Sequence, residues 1–422
     1  MAPRAGIVVT GTEVLTGRVT DRNGPWLAEQ LRAAGIDVAQ VVVVGDRPDD
    51  LRDALRFCVE SGVALVLTSG GLGPTADDLT AEVVAGFQGR TMSVDTDLDR
   101  EIAGIVERIS RNRGWQMDPE ATAAATRKQA TVPDGAAVLA PVGTAPGLVV
   151  PATGDGPPVV VLPGPPRELQ GMWPAVLADP TVRAAVQARS ELRQATIRLW
   201  GPPESELSAS LRRHDGEFDG LEITTCLRSG ELEVVSRYAP EAQPAQDRLG
   251  AALAADFGDQ LFSPDGASID EIVAAALLDG GLTIATAESC TAGLLAGRLT
   301  DLAGSSAYVL GGLVTYSDEA KTELAGVPAE LVERLGAVSA EVAVAMAEGA
   351  RRRLGTDVGV GITGVAGPGG GTPEKPVGLV HLCVSGPNGR LAREIHVPGS
   401  RADVRQRTVV VALHMIRTLL TR

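Results

Sequence analysis

Short apolar segments alternate with helical segments along most of this chain, and this alternation constrains the fold more than any other feature. In the N-terminal part, apolar segments at 6–10, 38–44 and 63–68 are separated by helical patterns near 22–34 and 49–61. Buried strands that alternate with helices form a mainly parallel sheet covered on both faces. In such folds ligands bind beyond the carboxyl ends of the strands, where glycine-rich loops stand in this sequence. We therefore predict an α/β protein with its ligand sites at those strand ends.

The pattern changes twice along the 422 residues, which are too many for one ordinary core. A stretch of different texture begins near residue 190, and FSPDGAS at 262–268 has the proline, glycine and serine of a linker. After it the alternation of strands and helices resumes and ends in a helix over 401–421. We predict a three-layer α/β domain at 1–190, a small α+β module at 191–264 and an α/β domain at 265–422.

Charge and composition argue against several classes of protein. The formal net charge of −15 disfavours direct nucleic-acid binding, because that binding rests on lysine and arginine neutralising phosphates. The four cysteines and four histidines are dispersed, which gives no zinc-ligand spacing and suits a reducing compartment. The N-terminus lacks the apolar core of a signal peptide, and no apolar run has the length of a membrane span. We predict a cytoplasmic protein without a membrane partner, assembled as a homodimer.

The first of three reactive segments in the C-terminal part is TIATAESCTAGLLAGRLT. A strand leads through Glu288 and Ser289 into a helix predicted over 291–300. A hydroxyl at a helix N-terminus lies among free backbone N–H groups, which favour anion binding and stabilise a developing oxyanion. Alternatively, Ser289 or Thr291 simply caps the helix.

The second and third segments add a candidate base and a glycine-rich loop. In VTYSDEAKTELAGV, Tyr316 and Ser317 end a strand, and Lys321 follows in the first turn of a helix. Lys321 is either a solvated surface group or, if buried beside a hydroxyl, the base that a serine nucleophile needs. In GVGITGVAGPGGGTPEKPVG a strand ends in a loop that is either a flexible turn or a set of backbone amides close to a ligand. Its glycines are Gly364, Gly367, Gly369, Gly370 and Gly371.

Together, and in this order, the three segments resemble the nicotinamide-nucleotide amidase domain of the competence/damage-inducible protein A (CinA) family. The resemblance covers 265–422. It implies hydrolysis of nicotinamide mononucleotide to nicotinate mononucleotide and ammonia, without a metal or an organic cofactor. By this resemblance Ser289 is the nucleophile and Lys321 its general base. The residues alone leave open whether Cys290, the stronger nucleophile, faces the cleft instead.

The resemblance also implies a ligand shell around this pair. Arg401 and Arg405 are expected to hold the nucleotide phosphate. The other residues expected at the substrate are Glu288, Thr291, Tyr316, Thr363, Gly364, Gly367, Gly369 and Gly370. The sequence departs from the family at two positions, because Ala292 stands where glycine is common and Ser400 where aspartate is common.

Segments of the N-terminal part resemble the molybdopterin-binding, MoaB/MogA-like fold. TGTEVLTG, NGPWLAEQL, VGDRPDD and TSGGLGPTADDLT carry this resemblance, and VGTAPG and LPGPPREL complete the pattern of the same CinA family. It implies binding of a pterin or a nucleotide, and in family members hydrolysis of ADP-ribose at the pyrophosphate with a divalent ion. A glycine-rich loop after a buried strand wraps a phosphate with backbone N–H groups. The residues expected there are Gly70, Gly71, Gly73, Thr75, Pro163 and Gly164.

Four acidic residues are candidate ligands for a divalent cation, Mg²⁺, Mn²⁺ or Co²⁺, in the N-terminal domain. Asp77 and Asp78 follow the glycine loop directly, and carboxylates beside phosphate are typical ligands of such ions. Glu13 and Asp46 each follow a different strand, so in a parallel sheet they converge on one edge. Alternatively, Asp77 and Asp78 open a helix, whose dipole stabilises acids without a metal.

The middle module resembles a KH-like unit, but it has no GXXG loop with basic neighbours. We therefore predict a spacer or assembly element rather than an RNA reader. The leading hypothesis for the whole chain is a bifunctional hydrolase of pyridine-nucleotide salvage that acts on small nucleotides. The alternatives are a pterin- or nucleotide-binding protein with a non-catalytic N-terminal pocket, and an interaction protein in DNA uptake or damage response.

Overall fold

The computed structural model describes residues 3–154, 156–187, 192–214, 216–228 and 230–421, which form two compact units. The first unit comprises the described residues up to Gln194 together with Tyr238–Glu241, and the second comprises Ala195–Arg237 and the described residues from Ala242 onward. Most of the predicted middle module thus lies in one unit with the C-terminal part. The predicted boundary between residues 190 and 191 lies outside the described residues. The division into three domains stays a prediction.

The first unit alternates strands and helices along the chain. Its elements are β1 (Arg4–Thr10), α1 (Thr12–Leu15), α2 (Asn23–Ala33), β2 (Asp37–Val44), α3 (Pro48–Glu60), β3 (Leu65–Ser69), α4 (Thr80–Phe87), β4 (Met92–Val94), α5 (Thr96–Arg113), α6 (Pro119–Gln129), β5 (Thr131–Pro133), β6 (Ala137–Leu139), β7 (Gly147–Val150), β8 (Val159–Leu162), α7 (Pro166–Ala178) and α8 (Pro180–Ala185).

A six-stranded sheet in the order β2-β1-β3-β8-β7-β6 runs through the described part of this unit. The first four strands are parallel, and β7 and β6 are antiparallel to their neighbours. β3 and β8 are buried along their whole length, because one apolar core lies on each face of the sheet. The α/β class predicted from the sequence is confirmed. The region 136–150 forms two strands, β6 and β7, and a separate ribbon pairs β4 with β5.

The second unit continues the numbering. Its elements are β9 (Arg193–Trp200), α9 (Glu204–Arg213), β10 (Leu221–Arg228), β11 (Glu231–Tyr238), α10 (Gln243–Phe257), β12 (Leu261–Ser263), α11 (Ile269–Asp279), β13 (Ile284–Glu288), α12 (Leu294–Leu299), β14 (Val309–Val314), α13 (Asp318–Ala325), α14 (Ala329–Leu335), α15 (Ala340–Leu354), β15 (Val358–Gly364), β16 (Leu379–Gly386), β17 (Gly389–His396) and α16 (Arg401–Leu420). Single turns of 3₁₀ helix occur at Pro240–Ala242, Gly258–Gln260 and Ser305–Ala307.

Two sheets build this unit over its described residues. The larger has the order β14-β13-β15-β16-β17, with the first three strands parallel and the last two antiparallel. β15 packs directly on α15, because a Cβ at Gly361 would lie 2.1 Å from the carbonyl oxygen of Ala343. β17 was not predicted, since most of its residues are exposed and it has no apolar run.

The smaller sheet, in the order β10-β11-β9-β12, meets the end of α16 through an aromatic cluster. The ring of His414 stacks on Trp200 with 4.0 Å between centroids and meets Phe262 edge-on. Its Nε2 lies 2.7 Å from the carboxylate of Glu231. Burial lowers the pKa of His414, which Glu231 opposes. Within the described part of the chain, no helix combines the length and the apolar character that crossing a membrane requires.

Candidate active site

A cavity of about 300 Å³ lies where β13, β14 and β15 of the second unit end. Segments that are far apart in sequence meet here, because the three strands are parallel neighbours. Of the residues predicted for the site, those that line this cavity are Ser289, Tyr316, Lys321, Thr363, Gly364, Gly367, Gly369, Gly370 and Arg401.

Ser289 follows β13 directly and begins a tight turn. Its backbone N–H donates to the carbonyl of Ile362 at 2.9 Å, and its carbonyl accepts from the N–H of Ala292 at 3.1 Å. The residue is 8% exposed and borders the cavity. Among the described residues, the Ser289 hydroxyl has no hydrogen-bond partner, so its proton and lone pairs remain available to a ligand.

The turn after Ser289 explains one departure from the family. Ala292 has a φ of 50°, in the left-handed region that costs a residue with a Cβ about 1–2 kcal/mol. Glycine, which is common here in the family, adopts this conformation without that cost.

The prediction that Ser289 lies at a helix N-terminus is wrong, because α12 begins only at Leu294 and has Gly293 as its N-cap. Neither Ser289 nor Thr291 caps this helix with its side chain. Thr291 is fully buried and lies outside the cavity lining, and its place at the substrate stays a prediction.

Glu288 binds the free backbone N–H groups at the start of α12, which we predicted to be available to an oxyanion. Its fully buried carboxylate accepts hydrogen bonds from the backbone N–H groups of Gly293, Leu295 and Ala296 at 2.8–3.1 Å. The hydroxyl of Thr286 lies 3.0 Å away as a fourth donor. Glu288 does not line the cavity. Its place at the substrate stays a prediction, and in this structure the carboxylate satisfies the free donors at the start of α12.

Lys321 is buried rather than solvated. It lies in the first turn of α13, and its side chain is 2% exposed. Its Nζ makes only long contacts, at 3.4 Å to the carbonyl oxygens of Tyr316 and Ser317 and 3.6 Å to the Asp318 carboxylate. Burial lowers the pKa of Lys321 below its ordinary value of 10.5, and Asp318 opposes this shift. The amine therefore loses its proton more easily than a surface lysine.

Cys290 also borders the cavity, but its thiol is poorly suited to attack. The side chain is 5% exposed and packs into the apolar core of the unit. Burial raises the pKa of Cys290 to about 11, so the thiol stays protonated at neutral pH. Because the thiolate is the reactive form of cysteine, this environment favours Ser289 as the nucleophile.

Arg401, the first residue of α16, is held at the cavity by two hydrogen bonds. Its guanidinium donates to the carbonyl of Gly367 at 2.9 Å and to the Tyr316 hydroxyl at 2.8 Å. The helix start is fixed by a capping box of Ser400 and Asp403. Serine and aspartate are comparable N-caps, so Ser400 replaces the family's aspartate without loss of the cap.

Arg405 points to a different partner. Its guanidinium donates to the carbonyl of Thr291 at 3.1 Å, and it does not line the cavity. Its contact with the substrate phosphate stays a prediction. One helical turn beyond Arg401, the side chain holds the turn that follows Ser289.

The glycine-rich loop supplies the free donors of the site. Gly367 and Gly370 have φ of 78° and 83°, which glycine adopts readily. In the described part of the chain, the backbone N–H groups of Gly367, Gly369 and Gly370 donate no hydrogen bond to protein atoms. Thr363 precedes this loop, and its hydroxyl donates to the carbonyl of Ala337, between α14 and α15, at 2.8 Å.

In the first unit, the predicted phosphate loop follows β3 and lies beside the loop after β8. A Cβ at Gly70 would lie 2.5 Å from the carbonyl oxygen of Thr10, and Gly70 and Gly71 both have positive φ. Gly164 lies next to this turn, since a Cβ there would be 3.7 Å from the Cα of Gly70, an ordinary van der Waals contact. The hydroxyl of Ser69 is 3.5 Å from the carbonyl of Pro163.

Asn23 joins these two loops and was missed by sequence reasoning. Its side-chain amide donates to the Ser69 hydroxyl at 2.8 Å and to the Gly164 carbonyl at 2.6 Å. Its Oδ1 is buried and has no hydrogen-bond partner among the described residues. The available signal was its position at the start of NGPWLAEQL, one of the segments that carry the family resemblance.

The predicted cation ligands do not form one set. Asp46 accepts hydrogen bonds from the N–H and hydroxyl of Thr12 at 2.9 and 2.8 Å, so the loops after β1 and β2 do meet. Asp78 accepts in the same way from Thr75 at 3.0 and 2.5 Å, with Gly73 packed against its carboxylate. Asp77 is exposed, and hydrogen bonding by Thr75 lowers its pKa.

Across the described ranges, no three histidine, cysteine, aspartate or glutamate side chains lie close enough to hold a metal ion. The predicted convergence of Glu13, Asp46, Asp77 and Asp78 on one cation is therefore wrong. The physical reason is that Asp46 and Asp78 each bind a threonine nearby instead. The structure does not fit a preformed divalent site at these residues.

Comparison with known proteins bears on both units. Residues 6–184 match the family described as a probable molybdopterin binding domain, and residues 266–420 match the CinA C-terminal domain. A CinA-like protein of Mycobacterium sp. (strain MCS) is 55% identical over 424 residues, and one of Mycolicibacterium gilvum (strain PYR-GCK) is 56% identical over 425. Each alignment covers 100% of this chain and 99% of the relative.

Among solved structures, the competence/damage inducible protein CihA from Agrobacterium tumefaciens is 46% identical, with a TM-score of 0.35. This match covers 36% of this chain and 94% of the other. Identity above one half along the whole length of two relatives establishes the family. The chain belongs to the CinA-like proteins, with a molybdopterin-binding-like N-terminal domain and a CinA C-terminal domain.

Proposed function

We propose that the C-terminal part of the chain is a serine amidase that hydrolyses nicotinamide mononucleotide to nicotinate mononucleotide and ammonia. The observation that carries this proposal is the shared cavity of Ser289 and Lys321. It combines a hydroxyl without a hydrogen-bond partner among the described residues with a buried amine of lowered pKa. A nucleophile beside a base that is easily deprotonated is what amide attack requires.

The reaction proceeds in two stages. Neutral Lys321 accepts the proton of the Ser289 hydroxyl while its oxygen attacks the carboxamide carbon. The C–N bond then breaks, and the lysine proton leaves with the nitrogen as ammonia. In the second stage Lys321 deprotonates a water molecule, whose oxygen attacks the acyl–serine ester. The bond between the acyl carbon and the Ser289 oxygen breaks, the acid is released, and the lysine proton returns to the Ser289 oxygen. These steps require no metal or cofactor.

The glycine loop and Arg401 complete this proposal. The free N–H groups of Gly367, Gly369 and Gly370 are the candidate donors to the oxyanion of the tetrahedral intermediate. They replace the helix amides, which Glu288 occupies. Arg401 is the candidate partner of the nucleotide phosphate, because it borders the cavity and forms its described hydrogen bonds with neutral groups.

Substitution of the pair tests the proposal. We expect Ser289→Ala and Lys321→Ala each to lower the deamidation rate by about a thousandfold or more, because members of a catalytic unit act together. Cys290→Ala is the matched control and should retain most activity. Ammonia release from nicotinamide mononucleotide measures all three. Full activity in Ser289→Ala together with loss in Cys290→Ala would contradict the serine assignment.

We also propose that the N-terminal part binds the phosphates of ADP-ribose and hydrolyses its pyrophosphate with Mg²⁺, Mn²⁺ or Co²⁺. Support for binding comes from the turn at Gly70 and Gly71, which lies beside Gly164. The hydrolytic part rests on the family resemblance. The homodimer and the cytoplasmic location stay predictions.

Chromatography of ADP-ribose incubated with the full chain and each cation tests this second proposal. AMP is expected only when a cation is present. ADP-ribose that binds without yielding AMP with any of the three ions would reduce the proposal to a binding pocket. The Ser289→Ala variant is the matched control, since it leaves the N-terminal loops unchanged.

A further inference from the structure

A second cavity of this unit, of about 700 Å³, lies between the smaller sheet and the corner formed by β17 and α16. Trp200 and Gly230 line it from the sheet side, and Arg393 and Arg407 line it from the other. None of its lining residues borders the candidate active site, although Arg401 and Arg407 both belong to α16. The proposed amidase chemistry leaves this cavity without a role.

Arg407 forms part of its wall without a counter-ion. The guanidinium lies over the ring of Trp200, 5.0 Å from its centroid, and occupies the space that a Cβ at Gly230 would need. Among the described residues, no carboxylate lies within ion-pair distance of Arg407. Burial lowers the pKa of Arg407, which Glu231 opposes. A partly desolvated cation that lacks a paired anion is costly to maintain.

Arg393, the other arginine that lines this cavity, also has no ion-pair partner among the described residues. It is exposed on β17 and lines the same cavity. Two carboxylates also border the cavity, but both are engaged. Asp403 accepts hydrogen bonds from the N–H and hydroxyl of Ser400 at 2.8 and 2.7 Å. Glu394 lies 3.3 Å from the ring nitrogen of His396. Neither carboxylate lies within ion-pair distance of Arg393 or Arg407, so among the described residues both guanidiniums lack a paired anion.

We infer that this cavity binds a phosphate-bearing small molecule, whose phosphate oxygens accept hydrogen bonds from Arg393 and Arg407. The planar fork of a guanidinium matches phosphate oxygens, and such charge-assisted bonds are the stronger ones in proteins. A volume of about 700 Å³ is within the range of pockets for nucleotide-sized ligands. The site is separate from the proposed amidase cavity and independent of its chemistry.

Titration calorimetry of the full chain with inorganic pyrophosphate, and in a second arm with AMP, tests this site. Arg401→Ala serves as the background, because it weakens phosphate binding in the other cavity. Added to it, Arg393→Ala and Arg407→Ala are each expected to weaken binding by about tenfold or more. Arg390→Ala is the matched control, since Arg390 is exposed on the same strand outside the cavity lining.

Arg407→Ala removes a side chain that packs on Trp200 and can disturb folding. Arg393 is exposed, so Arg393→Ala tests the site without this effect. Loss of affinity for pyrophosphate alone assigns the site to a free phosphate anion, and loss for AMP as well assigns it to a nucleotide. Unchanged affinity for both ligands in Arg393→Ala and Arg407→Ala would overturn the inference. An equal loss in Arg390→Ala would also overturn it, because that result indicates a general charge effect.

Discussion

At the C-terminal cavity, Lys321 is buried, and its Nζ has only long contacts, at 3.4–3.6 Å. At the N-terminal loops, by contrast, Asp46 and Asp78 each accept two hydrogen bonds from a threonine. The same contrast separates Lys321 from Glu288, whose carboxylate has four donors. A charged group with all its hydrogen bonds made serves the local fold. One that is buried and weakly bonded has capacity left for a substrate, at a cost in stability.

The largest effect that sharpens this comparison is expected from Glu288. Glu288→Ala leaves buried N–H groups of α12 without an acceptor, and we expect it to lower the free energy of unfolding by about 3 kcal/mol or more. Asp46→Ala removes a more exposed acceptor and should cost about 1 kcal/mol. Urea unfolding of both variants measures the difference. Equal, small losses would show that the bonds of Glu288 do not hold the turn after β13.

The dependence of the deamidation rate on pH tests the role of Lys321. If neutral Lys321 is the base, the deamidation rate should rise about tenfold per pH unit and level off below pH 10.5, because burial lowers the pKa of Lys321. Values of kcat/KM from pH 5.5 to 10 measure this limb. Lys321→Arg should abolish it, since arginine stays protonated. A flat profile in the unsubstituted protein would break the assignment of Lys321 as base.

Arg401 and Arg405 of α16 give the smallest of these effects. Arg401→Ala should raise KM for nicotinamide mononucleotide about ten- to hundredfold, because a charge-assisted phosphate contact is worth roughly 1.5–3 kcal/mol. Arg405→Ala should change KM less and lower stability instead, since it holds the Thr291 carbonyl. Unbound nicotinamide, which lacks the phosphate, should not respond to Arg401→Ala. A KM increase in Arg405→Ala as large as that in Arg401→Ala would contradict the placement of these side chains.

Local pattern was enough to predict the α/β class and the place of the candidate site. The apolar composition of segments such as VVVV and LVLTS predicts buried strands, and glycine-containing loops follow these segments directly. Parallel neighbours bring their ends together whatever the length of chain between them. The meeting of Ser289, Lys321 and Arg401 at one cavity was predicted from the family resemblance instead, and all three line the cavity.

Tertiary structure decided what each of these side chains does. Whether Cys290 or Ser289 faces the cavity with a reactive group depends on burial by distant residues, which no local pattern encodes. The hydrogen-bond donors to Glu288 depend on where α12 begins. The acceptor for Arg405 is the Thr291 carbonyl, 114 positions away in sequence. Asp46 and Asp78 of the N-terminal loops accept hydrogen bonds from threonines, whereas the sequence predicted that they bind a cation. Hydrogen bonds and desolvation are set by atoms in contact in three dimensions, whereas the sequence fixes only which neighbours are available along the chain.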